Sequence, residues 1–136
     1  MERFVKNFIG ASIMYLIVAS VLGLLMLCYP SLLTIKFVHS HLNMLGWVSM
    51  MIYGVGYHIL PKFAGKKIKS VKLGELQFYL ANIGLIGMLL FYTLDAYNPS
   101  AGIYRIVFVL FGIIEAVSVV LFFYNMMATL YGREQT

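Results

Sequence analysis

The chain has 136 residues, 62% of them hydrophobic and only 11% charged, which leaves too little polar surface for a soluble domain of this size. Lys and Arg number 10 against 5 Asp and Glu, a formal charge of +5, but the charges sit in the gaps between apolar runs. That pattern excludes a nucleic-acid-binding surface and makes a lipid bilayer the main solvent. The single cysteine, Cys28, excludes an internal disulfide and a thiolate metal cluster within one chain, and it reads as a small apolar core residue.

In chain order, no residue is charged from Asn7 to Ile35, from Phe37 to Pro61 or from Leu76 to Leu94, and the stretch from Ile106 to Gly132 contains one acid, Glu115. Each run is long enough for one membrane span, which takes about 20 apolar residues. The runs predict transmembrane helices over about 8–28, 37–60, 74–95 and 103–130. None of them alternates polar and apolar residues as barrel strands do. Pro30, Pro61 and Pro99 each fall between predicted spans, where a missing N–H does least harm. Short connections make successive helices antiparallel neighbours, so the expectation is an all-α fold: a single transmembrane domain over residues 1–136, built as an up-down-up-down four-helix bundle.

Arg3 and Lys6 precede the first run, but the run is too long for a secretory signal core and no small-x-small cleavage site follows it. Arg3, Lys6, Lys62, Lys66, Lys67, Lys69, Lys72 and Arg133 fall on one side of a four-span chain, and only Lys36 and Arg105 on the other. Basic residues in short loops stay in the cytoplasm, so both termini are expected there, with the chain a multi-pass protein of the cytoplasmic (inner) membrane. Topology alone accounts for the Lys62–Lys72 cluster; contact with anionic lipid or an acidic partner is the other reading.

Ionisable groups inside a span are expensive, and each is a candidate functional residue. All three histidines lie in the second span. His39 and His41 stand at its outer end. His58 follows His41 by 17 residues, about 26 Å along an α-helix, so one helix cannot bring both to one metal. At about 100° per residue, His39 shares a face with Asn43, Gly46, Met50, Gly54 and Tyr57, while His41 lies with Leu45, Val48, Ile52, Val55 and Ile59. The first face is small and polar, suited to helix packing or a flat ligand; the second suits lipid or another subunit. Neutral imidazole is an axial ligand of haem iron, and four-helix bundles hold such cofactors between helices. The alternative is that the histidines bond across helices while Gly46 and Gly54 allow close packing. Copper or zinc is disfavoured, because three or four donors are needed and the outer end offers His39, His41 and Asp95. Glu115 lies 10 residues beyond Arg105, about 15 Å into the fourth span. It reads either as a proton-relay or cofactor-contacting group, or as a protonated acid bonded to Asn82, Ser118 or the same residue of a neighbouring subunit. Arg105 and Lys36 either pair with haem propionates or serve as interfacial anchors, as do Trp47 and the tyrosines.

The second span, from His39-Ser40-His41-Leu42-Asn43-Met44-Leu45-Gly46-Trp47-Val48 to Tyr57-His58-Ile59-Leu60-Pro61, resembles the second helix of the haem-copper oxidase catalytic subunit, especially its nitric oxide reductase and cbb3 branches. The resemblance implies that His41, two residues before Asn43, occupies the position of an axial ligand to low-spin haem b near the outer face. Leu76-Gln77-Phe78-Tyr79-Leu80-Ala81-Asn82-Ile83-Gly84 looks like the helix that often reads HFWLxNIG, and Phe123-Tyr124-Asn125 with Thr129 looks like the end of the helix after it. The likeness extends to small four-span oxidase subunit I-like proteins with HAHLNLxGWV and a following YH. The large subunit's second low-spin haem ligand and copper-site histidines lie on later helices that this chain does not contain, so a complete oxygen or nitric oxide reductase is not expected from it.

A second axial histidine would come from His39 of the same or another subunit, from His41 of a symmetry mate, or be lacking, leaving iron open to a diatomic gas. Homo-oligomerisation is therefore expected. His58 would serve a second haem near the inner face. The leading reading is a membrane haem b protein, a b-type cytochrome for electron transfer or for NO, O2 or CO binding. The alternatives are a cofactor-free accessory or assembly subunit of a respiratory or denitrification complex, and a metal or small-molecule transporter.

Overall fold

The computed structural model describes residues 1–132. Helix α1 (Arg3–Cys28) fills the first charge-free run. It closes when the Tyr29 N–H bonds the Leu25 carbonyl, and Pro30 opens a 3-10 turn, Pro30–Ile35. A continuous helical stretch follows: α2 (Lys36–His41), a π-helical segment (Leu42–Ser49) and α3 (Met50–Phe63). After a connector come α4 (Val71–Tyr97), a 3-10 turn (Pro99–Ala101) and α5 (Ile103–Tyr131). Among the described residues there is no strand.

Three helices, α1, α4 and α5, are long and apolar enough to cross a membrane, which makes this a multi-pass membrane protein. Their outward surfaces agree: Leu24, Leu27, Ile106, Leu110 and Val120 are all exposed, as lipid-facing side chains are. The Lys36–Phe63 stretch is as long, but the change from α to π at Leu42 and back at Met50 leaves no regular helix of spanning length within it.

Glycines set the packing. On α4, a Cβ at Gly84 would lie 2.7 Å from the Glu115 backbone nitrogen, and one at Gly87 would overlap the Phe111 ring, so α4 and α5 meet almost backbone to backbone. Tyr15 of α1 sits over Gly46, and Ile9 and Phe8 over Gly54, which seats α1 along the π segment and α3. The core beneath is aromatic. The Phe8 ring meets those of Tyr53 and Phe78 edge-on at 5.6 and 5.1 Å, and Phe4 meets Tyr57 at 5.0 Å.

At the lysine-rich end, the Lys66 ammonium donates to the Leu130 and Gly132 carbonyls at 2.9 and 3.0 Å. Met1, Glu2, Tyr57, His58, Lys62, Lys66 and Lys67 line a cavity of about 440 Å³ there. The start of α1, the connector after α3 and the end of α5 thus converge, while Arg133 lies outside the described residues. Ser70 caps α4 by accepting from the Leu73 N–H. Asn125 of α5 bonds both backbone groups of that cap, accepting from the Ser70 N–H at 3.2 Å and donating to its carbonyl at 2.8 Å. Gly65 (φ +65°) ends the α3 turn and Gly102 (φ +45°) starts α5, in a conformation that a side chain would strain.

Three sequence expectations need correction. Pro61 does not lie between spans: α3 runs on to Phe63 with Pro61 buried in its last turn, and bonds from Ala64, Gly65 and Lys66 to the Leu60, Lys62 and Pro61 carbonyls carry the chain out. Cys28 is exposed, not in the core, because in the last turn of α1 it is Met26 that faces inward. The 26 Å between His41 and His58 assumed an α-helical rise throughout, and the π-helical segment Leu42–Ser49 interrupts it.

Candidate functional site

The three histidines, alike in sequence, have three different surroundings. His39 is tied to α1. Its Nδ1 lies 3.0 Å from the Ala19 carbonyl, which can only accept, so Nδ1 carries the proton. Nε2 is then an acceptor, and the Asn43 amide stands 3.4 Å from it while donating to the His39 carbonyl at 2.9 Å. Gly23 makes this possible: a Cβ there would come 2.9 Å from His39 Cε1. Both ring nitrogens of His39 are therefore engaged, and the residue joins two helices.

His41, half a turn on, is held differently. Its Nδ1–H donates to the Phe37 carbonyl one turn back at 3.0 Å, and its ring stacks on that of Phe37 at 3.7 Å. Phe37 stacks in turn on Tyr92 of α4 at 4.2 Å and meets Phe108 of α5 edge-on at 5.7 Å. The imidazole is thus oriented by three helices. With Nδ1 committed as donor, Nε2 presents a lone pair that no described residue engages. A histidine that ligates metal through one nitrogen and donates its other N–H to a carbonyl has this arrangement, which fixes the tautomer and raises ligand basicity. The π segment begins at the next residue, Leu42, and π turns inside α-helices are frequent at functional positions. Ser49 supports it by donating from its hydroxyl to the Met44 carbonyl, five residues back, at 2.8 Å.

His58 lies at the other end of the stretch, where its Nε2 accepts from the Lys62 ammonium at 3.1 Å. Arg105 and Lys36 are exposed. Arg105 stands one turn before Phe108, at the same end of the molecule as His41. Asn43 braces His39, and Gly46 is covered by Tyr15 rather than open to a flat ligand. Among the described residues no three His, Cys, Asp or Glu side chains come together as a metal site. What the arrangement offers a ligand is one unengaged imidazole nitrogen per chain, His41 Nε2.

Glu115 is 4% exposed against the α4 backbone, and neither carboxyl oxygen has a protein hydrogen-bond partner. The side-chain partners expected from sequence are engaged elsewhere. Asn82 accepts from the Tyr15 hydroxyl and donates to the Phe78 carbonyl, both at 2.8 Å, and the Ser118 hydroxyl donates to the Glu115 main-chain carbonyl. Its burial inside one chain also puts it out of reach of a neighbouring copy. Sequence reasoning passed over Gln77, which is fully buried with both amide atoms unpaired, and Asn125, which bonds Tyr57 and the α4 cap. Both carried the signal that exposed Glu115, a polar group inside an apolar run.

The fold and this constellation define a class: a helical, multi-pass membrane protein with one preoriented imidazole near one end. A 49-residue stretch is 41% identical to the Cbb3-type cytochrome c oxidase subunit CcoN1 of Stutzerimonas stutzeri, covering 35% of this chain. The chain spans only 10% of the length of that relative. No family model matches, and no solved structure does.

Proposed function

We propose that this is a haem b-binding protein of the cytoplasmic membrane in which His41 Nε2 would hold the haem iron, serving electron transfer or the binding of a diatomic gas. The observation that carries the reading is the Nδ1–H bond from His41 to the Phe37 carbonyl at 3.0 Å, which leaves Nε2 as a fixed and unengaged donor of a lone pair. The partial likeness to a cytochrome c oxidase subunit points the same way. The chain forms an up-down-up-down bundle of four spans, the Lys36–Phe63 stretch being one of them, with both termini at the lysine-rich, cytoplasmic end. His39 and His58 are engaged by protein partners. A second ligand to the haem iron would come from His41 of another copy, which would make a homo-oligomer the functional unit. Arg105, at the same end, is placed to meet propionate groups. Bound haem would supply one-electron or gas-binding chemistry; the chain orients the ligand and excludes water with the Phe37, Tyr92 and Phe108 rings.

The test is the absorption spectrum of the purified protein, alone and after haem addition. A Soret band that His41→Ala abolishes or shifts is expected, with His58→Ala leaving it in place; a protein that stays colourless and takes up no haem refutes the reading. Carbon monoxide added to the reduced form separates the two roles, since a spectral change requires an open coordination position. A second reading, an accessory subunit of a respiratory complex without its own cofactor, draws on the same likeness to an oxidase subunit. It requires co-purification with a larger complex.

A further inference from the structure

The cavity at the lysine-rich end has a buried side and an exposed side of different chemistry. Val5 of α1 and Pro61 of α3 are buried at its base, with Ile68 and Val71 half-buried beside them. Its other side carries Lys62, Lys66 and Lys67 against one acid, Glu2. At about 440 Å³ the space falls within the roughly 300–1,000 Å³ of small-molecule sites.

The partners of two of these lysines are neutral. The Lys62 ammonium donates to His58 Nε2 at 3.1 Å, and the Lys66 ammonium donates to the Leu130 and Gly132 carbonyls at 2.9 and 3.0 Å. These bonds aim the ammonium groups without cancelling their charge, and an ammonium has N–H groups to spare beyond them. On the buried side stands Tyr57, 1% exposed. Its hydroxyl accepts from Asn125 at 3.3 Å, which leaves its own hydrogen to donate. Cations and a buried hydroxyl thus face one space over an apolar base.

The level of the cavity names the kind of anion. Phe63, next to Lys62 at the end of α3, is 86% exposed, and a free aromatic ring beside basic residues is how a chain meets the headgroup layer of a bilayer. Helix α1, long and apolar enough to span, starts here, and the Lys66 bonds bring the end of α5 to the same place. The cavity therefore opens at a membrane surface, where the abundant anion is a lipid phosphate.

We propose that this cavity binds the phosphate of an anionic phospholipid. Lys62 and Lys67 meet its oxygens as point charges, Tyr57 donates from the buried side, and the glycerol lies against Val5, Pro61 and Val71. Glu2 opposes the anion and sets an upper bound on affinity. The inference does not depend on haem binding.

Native mass spectrometry of the full chain in detergent, titrated with phosphatidylglycerol and with phosphatidylcholine of the same acyl chains, tests this. Phosphatidylglycerol should bind about tenfold or more tighter. Lys62→Gln with Lys67→Gln should weaken its binding by about tenfold or more, at roughly fivefold per lysine, and Glu2→Gln should strengthen it. Lys69→Gln with Lys72→Gln removes the same charge from exposed lysines of the same stretch that do not line the cavity, and should change binding by less than about threefold. Equal binding of the two lipids, or equal losses in the two double variants, overturns the site. Inorganic phosphate titrated alone separates the sources: if it binds with the same lysine dependence and phosphatidylglycerol does not bind, the ligand is a soluble phosphate and the lipid assignment is overturned.

Discussion

Replacing Gly84 with alanine adds one methyl group where α4 lies directly on the α5 backbone. The new Cβ would stand 2.7 Å from the Glu115 nitrogen, 2.9 Å from its Cα and 3.1 Å from its Cβ, against about 3.5–4.0 Å for a relaxed carbon contact. The obstacle is mostly main chain, so no side chain can swing away. The helices must part by roughly 0.5–1 Å, a gap that forfeits a quarter to a half of each dispersion contact along the seam. Overpacking of this kind costs about 1–3 kcal/mol. Alanine also favours a helix over glycine by about 1 kcal/mol, which conceals part of the loss. Gly10→Ala on α1 carries the same propensity gain with nothing within 4 Å of the added carbon, so the difference between the two variants isolates the clash. That difference should be about 2 kcal/mol against Gly84→Ala, read from reversible detergent unfolding followed by the fluorescence of Trp47, the single tryptophan. Equal stabilities within about 0.5 kcal/mol would refute the close approach of α4 and α5.

Three further outcomes follow from the hydrogen bonds. His39→Ala leaves the Ala19 carbonyl without its side-chain donor and empties the notch beside Gly23, so it should lower stability by about 1–3 kcal/mol while any haem band survives; loss of the band with stability unchanged would make His39 the ligand instead. Asn125→Ala removes both bonds to the Ser70 backbone and the one to Tyr57, and amide exchange should quicken at Lys69–Leu73, at the start of α4, before it does elsewhere. Gln77→Met keeps the volume and removes two unpaired polar atoms. It should be neutral or stabilising by up to about 1 kcal/mol, and a marked loss of stability would show that the amide has a partner.

The helical spans were legible because charge is what a bilayer excludes: the uncharged runs bracket α1, α4 and α5 closely, and the ends differ where flanking Phe4, Val5 and Val71 are drawn into helices by packing. Pro61 misled because the rule that places proline between helices concerns the N–H it lacks, whereas a buried ring in the last turn of α3 contributes packing and leaves the Leu60, Lys62 and Pro61 carbonyls bonded by Ala64, Gly65 and Lys66. The π segment had no local mark either, since nothing in Leu42–Ser49 breaks an α-helix and the wider turn forms where Tyr15 of another helix sits over Gly46.

The site shows the same division more sharply. His39 and His41 are two residues apart, and face counting on an ideal helix puts His39 on the polar side and His41 on the apolar one. The structure leaves a ring nitrogen unpaired on His41 and not on His39, for a reason outside that helix. Gly23 and Ala19 on α1 admit the His39 ring and take its N–H, so its polar face is one already satisfied by protein. His41, on the side that seemed fit only for lipid, finds its acceptor in its own preceding turn and its support in Phe37, and retains a free nitrogen. A polar residue inside an apolar run therefore marks a position under constraint, but whether the constraint is a helix contact or a ligand is decided by which of its atoms the rest of the fold leaves unpaired.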